Sequence, residues 1–311
     1  MKVTVIGAGN VGATAADCMA RKDIVDEVVV IDIVEGLPQG KALDIQESAP
    51  IHLFDTRVTG TNDYKDTAGT DIAIITAGSP RKPGMSRDDL LAINAKIVRS
   101  VTGQLMQESP DAILIVVSNP LDVMAYAAFQ ESGLPSEKVM GMAGVLDTAR
   151  YRAFIAMELG VSVRDIEALL LGGHGDTMVP LPRYTSVSGI PLPELMDEKT
   201  ISSIVERTKF GGGEIVKLMG TSAWYAPGAA AAEMAEAIVK DSGRVLPCAA
   251  RLQGEYGLSD IFLGVPAKLG KGGIKEIIEV ELSDSETALM NKSAEHVQVN
   301  LDALARLDAA G

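Results

Sequence analysis

The residues best suited to proton transfer lie in one short segment, residues 172–177, where glycines surround His174 directly after three leucines. Histidine is the side chain whose ordinary pKa, about 6.5, suits proton exchange near neutral pH. The leucines are typical of the buried end of a strand, and the glycines permit a tight backbone path. We therefore predict that the imidazole of His174 lies at the mouth of a cleft. Taken alone, the same pattern also fits a histidine held by backbone hydrogen bonds in a turn.

A second source of charge is the segment 76–87, which contains two prolines, two glycines and three cations, Arg81, Lys82 and Arg87. A short segment of this composition predicts a lid that carries positive charge to a site. A solvated basic loop is the alternative.

Two more groups of residues have the chemistry of a binding site. Asn119 follows the apolar run 112–117, at the carboxyl end of a predicted strand, where ligands of open α/β sheets bind. Asp147 and Arg150 are three residues apart and therefore share one helical face. A turn asparagine and an ordinary surface salt bridge are the alternatives at these positions.

The N-terminus carries the order strand, glycine turn and helix that a dinucleotide needs. Residues 3–6 favour a strand, residues 13–21 favour a helix, and the turn between them contains Gly7, Gly9, Asn10, Val11 and Gly12. In such a turn the pyrophosphate lies at the positive end of the helix, and the central glycine lets the backbone approach it. We expect all five turn residues to contribute to cofactor binding.

Asp32 ends the next apolar run, 20 residues after Gly12. A carboxylate at this place accepts hydrogen bonds from both hydroxyls of an adenosine ribose and repels a 2′-phosphate. The sequence therefore favours NAD over NADP. An aspartate that only caps the following helix is the alternative, but it leaves the glycine turn unexplained.

Strand and helix patterns alternate through the first half of the chain, with strands at 72–75 and 112–117 and a helix at 88–106. This alternation predicts parallel βαβ units. The glycines of residues 141–144 close the first half, and a helix is expected from there to about residue 159. Prolines and three consecutive glycines, residues 211–213, make the later pattern irregular.

The last part of the chain shows two further strands and one strongly amphipathic helix. Strands are expected at 261–266 and 274–280, and Ser283 with Glu286 forms a capping box for the helix. His296 lies beside its apolar stripe and is interpreted as structural. The stripe has 3.6-residue spacing and consists of Met290, Ala294, Val297, Leu301 and Leu304.

Composition excludes several classes of protein. The chain has 311 residues, 47% of them hydrophobic, and its 28 basic and 42 acidic residues give a net charge of -14. This charge repels nucleic acid and anionic lipid surfaces. Cys18 and Cys248 belong to no metal or disulfide spacing, so no metal site is predicted. Without a leader or a long apolar run, we expect no membrane association and a cytoplasmic location.

Six motifs in order resemble those of the lactate/malate dehydrogenase family over essentially the whole chain: GAGNVG, VVVID, TAGSPRKPGMSR, VSNP, GVLDTAR and GGHGDTMVP. The resemblance implies an α/β fold in which an N-terminal Rossmann domain with a doubly wound parallel sheet, residues 1–143, precedes an α+β catalytic domain, residues 144–311. It also implies NAD-dependent oxidation of a 2-hydroxy acid by a homo-oligomer, either a dimer or a tetramer.

The resemblance also implies a role for each candidate residue. His174 is similar to the residue that accepts and returns the proton, and Asp147 to the carboxylate that orients it. The substrate-binding residues implied are Arg81, Arg87, Asn119 and Arg150, with Arg87 on the C2 oxygen and Arg150 on the 1-carboxylate. The cofactor pocket is expected to include, besides the glycine turn and Asp32, the residues Asn94, Val117 and Asn119.

Substrate choice depends on Arg81 in this interpretation. Relatives that act on lactate resemble this chain except that glutamine usually occupies the position of Arg81, and an arginine there adds a partner for a second carboxylate. Malate and oxaloacetate are therefore the expected substrate pair, with a place in the tricarboxylic acid cycle. The alternatives are a lactate or broad-specificity 2-hydroxy acid dehydrogenase and, in a different class, a non-catalytic NAD-binding protein.

Overall fold

A computed structural model describes residues 1–79 and 87–310 of the chain. The helices and strands of its first half alternate as the sequence predicts. They are β1 (Lys2–Ile6), α1 (Asn10–Arg21), β2 (Glu27–Ile31), α2 (Leu37–Glu47), α3 (Ala49–His52), β3 (Arg57–Thr61), β4 (Ile72–Ile75), α4 (Arg87–Glu108), β5 (Ile113–Val116), α5 (Leu121–Ser132) and β6 (Val139–Gly141).

The second half is richer in short strands and long helices. Its elements are α6 (Gly144–Leu159), β7 (Ile166–Glu167), β8 (Leu170–Leu171), β9 (Val179–Pro180), β10 (Ser186–Val187), β11 (Ile190–Pro191), α7 (Leu192–Leu195), α8 (Glu198–Met219), α9 (Tyr225–Val239), β12 (Val245–Gln253), β13 (Ser259–Gly270), β14 (Gly273–Ile277) and α10 (Asp284–Ala310).

The six strands of the first half form a parallel sheet in the order β3-β2-β1-β4-β5-β6. Every residue of β4 and β5 is buried, because helices cover both faces of the sheet, as is usual for parallel sheets. Helices α1 and α9 pack on one face, and helices α4, α5 and α10 pack on the other. The expected Rossmann arrangement is confirmed.

The second half continues this sheet and also builds two small antiparallel ones, β11-β10-β7 and β8-β9. Strands β12, β13 and β14 form an antiparallel meander that joins β6 through one pairing, Ala249 with Gly141, to give nine strands. A Cβ on Gly141 would lie 2.9 Å from the Cβ of Ala249, so glycine allows this close pairing. The mixture of antiparallel strands and helices confirms the predicted α+β character.

Two predictions about the later helices have different outcomes. The capping box is present, since Ser283 N–H donates to Glu286 and Glu286 N–H donates to Ser283 Oγ, and the whole apolar stripe of α10 is buried. The glycines of residues 211–213, by contrast, do not interrupt the chain's regular structure but lie inside α8. None of the helices within residues 1–79 and 87–310 is both long and apolar enough to cross a lipid bilayer.

The carboxyl ends of the parallel strands bring several predicted site residues to one edge of the sheet. Gly7 follows β1, Asp32 follows β2, and Asn119 lies three residues after β5. The chain leaves β1 for β2 on one side and later returns to β4 on the other, so the strand order reverses between β1 and β4. Ligands of open α/β sheets bind at such a switch point.

The segment that carries His174 is attached to this sheet by glycine. Gly172 and Gly264 of β13 exchange two backbone hydrogen bonds, with N to O distances of 2.9 and 3.0 Å. A Cβ on Gly264 would lie 2.4 Å from the carbonyl oxygen of Gly172. Because that oxygen belongs to the backbone and cannot move aside, the two segments of the chain can approach this closely only when residue 264 lacks a side chain.

The change Gly264→Ala is therefore expected to lower the free energy of unfolding by about 1–3 kcal/mol, the usual cost of overpacking. Chemical denaturation followed by circular dichroism measures it. The control is Gly40→Ala in α2, where a Cβ meets no atom within 4 Å, and a gain of about 0.5–1 kcal/mol is expected. Equal stability of Gly264→Ala and the parent chain would contradict this account of the contact.

Candidate active site

A buried carboxylate lies at the centre of the site. Asp147 is in the first turn of α6, and its side chain is 3% exposed. Its Oδ1 accepts from Arg150 Nη1 at 3.1 Å, and its Oδ2 lies 2.8 Å from His174 Nδ1. The structure thus brings together three predicted residues, and the Asp147–Arg150 pair is not the surface salt bridge that the spacing alone allowed.

The backbone of the His174 segment follows the tight path that its glycines predict. Gly172 and Gly175 have φ angles of 85° and 114°, in the left-handed region that other residues rarely adopt. The side chain of His174 is 23% exposed, so the ring is half-buried at the surface of a cleft. This placement agrees with the prediction of a histidine at a cleft mouth.

The charges around the ring favour its protonated form. Burial lowers the pKa of His174, but the adjacent Asp147 carboxylate raises it, first by its charge and then by its hydrogen bond, and the net pKa lies above the ordinary value. The short contact from Nδ1 to an ionised carboxylate requires a proton on Nδ1, so Nε2 is the nitrogen left to accept a proton. The ring is thereby fixed in one tautomer.

Asp122, in the first turn of α5, belongs to this site although the sequence analysis did not include it. Its Oδ2 accepts from the backbone N–H of His174 at 3.0 Å, and the residue is 7% exposed. Burial raises the pKa of Asp122 to about 6 despite the His174 hydrogen bond. An acid in the first turn of a helix is common, so its sequence position carried no distinct signal of this contact.

His174 and Asp122 line a cleft, a cavity of about 290 Å³, while Arg150 lines a separate cavity of about 300 Å³ beside α8. The cleft is formed by α4, α5, the His174 segment and α10. His296 lines it too, so this histidine, interpreted from the sequence as structural, is an exposed residue on the wall of the cleft. The lining residues with polar side chains are Asn119, Asp122, His174, Asp176, Thr177, His296 and Asn300.

Helix α8 closes the opposite side of Arg150. Arg150 Nη1 also lies 3.5 Å from the carbonyl oxygen of Thr208, and a Cβ on Gly211 would lie 2.3 Å from Arg150 Cδ. The arginine is 12% exposed and passes directly over the glycine. The three consecutive glycines in the sequence were the available signal for this close approach.

The glycine turn has the geometry of a dinucleotide-binding turn. A Cβ on Gly7 would lie 2.6 Å from Thr76 Oγ1, and one on Gly12 would lie 1.9 Å from the carbonyl oxygen of Gly7. These two glycines are required by the packing of the protein itself. A Cβ on Gly9, in contrast, would meet nothing within 4 Å, which leaves the outer face of the turn, at the N-terminus of α1, open to an approaching pyrophosphate.

Asp32 has the free capacity that ribose recognition needs. Its two oxygens accept the N–H groups of Ala8, at 2.7 Å, and Val34, at 2.9 Å. Each carboxylate oxygen has two acceptor sites, so each retains one for a ribose hydroxyl. The Ala8 contact also fixes the carboxylate against the glycine turn. These residues therefore fit the adenosine half of NAD.

Asn94, expected in the cofactor pocket, connects two segments of the backbone. Its side chain is buried, its Oδ1 accepts from Ser79 N at 2.7 Å, and its Nδ2 donates to the carbonyl oxygens of Ser79 and Asn119. It therefore joins the segment after β4 to the segment after β5. Val117 is buried next to β4, with its N–H bonded to Ile75, and Asn119 is exposed on the cleft.

Two predicted substrate-binding residues belong to the expected lid. Arg81 lies outside the described residues, and Arg87 is described only as the first residue of α4. Their predicted contacts with a substrate remain predictions.

Comparisons with known proteins agree with this architecture. The family described as "lactate/malate dehydrogenase, NAD binding domain" matches residues 1–141, and "lactate/malate dehydrogenase, alpha/beta C-terminal domain" matches residues 144–307. The malate dehydrogenase of Salinibacter ruber is 67% identical over 311 residues, which cover 100% of this chain and 99% of that protein.

Solved structures give the same result. A structure of malate dehydrogenase from Salinibacter ruber aligns with a TM-score of 0.97 at 65% identity and 100% coverage of both chains. A lactate dehydrogenase from Cryptosporidium parvum, in complex with lactic acid and β-nicotinamide adenine dinucleotide, aligns with a TM-score of 0.94 at 42% identity and covers 99% of this chain and 98% of that one.

The change Gly211→Ala is expected to displace the middle of the Arg150 side chain and to raise the KM for a 2-hydroxy acid by about tenfold or more, because misplaced binding groups are costly. Steady-state kinetics measure it. The matched control is Gly212→Ala, whose Cβ meets nothing within 4 Å; its KM should equal the parent value, with stability higher by about 0.5–1 kcal/mol. If Gly211→Ala and Gly212→Ala had the same KM, the contact between Gly211 and Arg150 would have no role in substrate binding.

Proposed function

Because the chain belongs to the lactate/malate dehydrogenase family, we propose that it catalyses the reversible NAD-dependent oxidation of malate to oxaloacetate, with His174 accepting and returning the proton. The observation that carries this proposal is the hydrogen-bonded set of His174, Asp147 and Arg150, in which His174 lines a cleft. The near-complete coverage of a malate dehydrogenase at 67% identity supports malate as the substrate.

The hydrogen bond between Asp147 and His174 prepares the ring for proton transfer. Asp147 holds the proton on Nδ1, which leaves Nε2 to take the proton of the substrate hydroxyl. The imidazolium that forms is stabilised by the same carboxylate. In the reverse direction, the imidazolium returns this proton to the C2 oxygen of oxaloacetate.

Arg150 is the residue that binds the 1-carboxylate. A guanidinium is planar and donates two parallel hydrogen bonds to a carboxylate, which a lysine does not. The Asp147 contact occupies Nη1 and fixes the arginine next to the carboxylate that also binds His174. Binding at this point orients C2 and its hydroxyl towards His174.

The residues that hold NAD are the glycine turn, for the pyrophosphate, and Asp32, for the adenosine ribose. NAD held by these residues would supply the acceptor for the hydride from C2 of the substrate. Asn94 supports this region because its side chain binds the backbone of both Ser79 and Asn119 and so joins the two segments.

In this proposal Arg81 selects the substrate by forming an ion pair with the second carboxylate of malate. Arg87 polarises the C2 oxygen. An arginine enclosed with no carboxylate partner costs several kcal/mol, so a substrate with only one carboxylate is disfavoured. Closure of the lid over the bound acid would exclude water and strengthen these interactions.

The proposal also covers the domain boundary, the assembly and the location of the enzyme. The domain boundary lies between residues 143 and 144, where α6 begins. The enzyme is proposed to act in the cytoplasm as a homo-oligomer and to contribute to the tricarboxylic acid cycle. The two family models, which match residues 1–141 and 144–307, support the boundary.

The proposed specificity predicts that oxaloacetate is reduced with a kcat/KM on the order of a hundredfold or more above that of pyruvate, because pyruvate leaves one arginine unpaired. The oxidation of NADH, followed by absorbance with each substrate in parallel, measures the ratio. The change Arg81→Gln should reduce it by at least tenfold. Similar efficiencies for the two substrates in the parent enzyme would indicate a lactate or broad-specificity dehydrogenase, and no turnover of either would indicate a non-catalytic NAD-binding protein.

The raised pKa of His174 predicts a defined pH dependence. Malate oxidation requires the neutral ring, so its kcat/KM should fall on the acid side with a midpoint above about 6.5, the ordinary value. Oxaloacetate reduction requires the protonated ring and should persist up to the same midpoint. Initial rates in both directions across the pH range measure this, and His174→Asn should lose both activities by about 10²–10⁴-fold. An acid limb at or below the ordinary value would contradict the assignment.

A further inference from the structure

Two consecutive backbone N–H groups of the His174 segment are held by buried side chains from different helices. Gly173 N–H donates to Ser293 Oγ of α10 at 2.8 Å, and His174 N–H donates to Asp122 Oδ2 of α5 at 3.0 Å. A Cβ on Gly173 would lie 3.3 Å from Asp122 Oδ2 and 3.4 Å from Ser293 Oγ. The segment therefore fits closely against both side chains, which fix its position relative to α6.

The two acceptors differ in one important way. Ser293 is neutral, whereas Asp122 is a carboxylate that is buried at the base of the cleft. Within the part of the chain that the structure describes, Asp122 Oδ1 is buried with no hydrogen-bond partner. A neutral side-chain oxygen would accept the same N–H group without the cost of burying a charge. The presence of a carboxylate therefore calls for a role that depends on its charge.

The charged groups around His174 indicate that role. Asp147 and Arg150 approach the ring from α6, and Asp122 acts on it from α5. His296 of α10 and Asp176 of the same segment lie on the cleft wall. Asp122 faces His174 and Asp147, so it belongs to one electrostatically coupled group with the imidazole. Its negative charge favours the imidazolium, as that of Asp147 does.

We infer that Asp122 is a positioning residue for His174, which anchors the backbone of the catalytic segment and places a second buried negative charge beside the imidazolium. This inference rests on the proposed function, because it concerns the residue that exchanges the proton. In this inference Asp122 of α5 stabilises the protonated form of His174 together with Asp147. Asp122 acts through His174, whose backbone N–H it accepts.

The test is the titration of His174 in the full-length protein, without substrate, by NMR of the histidine ring protons. The chain has only three histidines, so the variants His52→Gln and His296→Gln assign the signals. Asp122→Asn keeps an acceptor for the His174 N–H but removes the charge, and the titration midpoint of His174 is expected to fall by about 0.5–1 pH unit. If Asp122→Asn folds poorly, Asp122→Ser, which is also neutral, replaces it, and the titration midpoint of His174 is again expected to fall.

The matched control is Ser293→Ala, which removes the acceptor of the neighbouring N–H but changes no charge. Its His174 midpoint is expected to equal that of the parent protein. A midpoint in the folded Asp122 variants equal to that of the parent, or a shift in Ser293→Ala as large as in Asp122→Asn, would overturn the inference, since it would leave Asp122 with a purely structural role.

Kinetics give a second reading of the same effect. The acid limb of kcat/KM for malate oxidation in Asp122→Asn should move to lower pH, in the same direction as the NMR midpoint. An equal loss of rate at every pH, with no movement of the limb, would contradict the electrostatic role. The NMR titration needs no turnover, so a failure of the proposed substrate in the oxaloacetate assay is distinguishable from a failure of this inference.

Discussion

The structure of the site depends on a single buried carboxylate. Asp147 is nearly inaccessible to water, and an ionised group in that position is tolerated only if its oxygens are paired. One oxygen is paired with Arg150 and the other with His174. The same two pairings hold a guanidinium and an imidazole at fixed places around one carboxylate, so the interactions that stabilise the buried Asp147 also define the chemistry of the site.

The two partners of Asp147 reach it in different ways, and this difference explains much of the surrounding fold. Arg150 is on the same helix, so its distance is fixed by helical geometry. His174 belongs to a separate segment, which must be held against α6 by the rest of the protein. The bridge to Gly264 and the contacts of Asp122 and Ser293 supply that attachment. The nine-stranded sheet therefore serves both the dinucleotide turn and the segment that carries His174.

Local features could be predicted from the sequence because neighbouring residues determine them. The strand, glycine turn and helix at the N-terminus, the capping box at Ser283 and the apolar stripe of α10 all follow from spacing along the chain. The joining of β6 to β12, the contact of Gly211 with Arg150 and the approach of Asp122 to His174 connect residues that are far apart in sequence. The spacing of these residues along the chain does not indicate which partner each of them contacts. The three glycines predict an irregular segment because glycine disfavours helices, but α8 continues through them. Gly211 packs against Arg150, whereas a Cβ on Gly212 or Gly213 would meet nothing within 4 Å.

The charges of the site balance in a way that fits a reversible proton transfer. When His174 is neutral, the buried group contains the two carboxylates of Asp147 and Asp122 and the single cation of Arg150, so negative charge is in excess. A proton gained by the imidazole brings this group to neutrality, which a poorly solvated environment favours. Burial of the ring acts in the opposite direction by disfavouring its charged form. The carboxylates outweigh burial, so the pKa of His174 rises, but burial limits the rise. The ring can therefore both accept and release a proton, as the two directions of the reaction require.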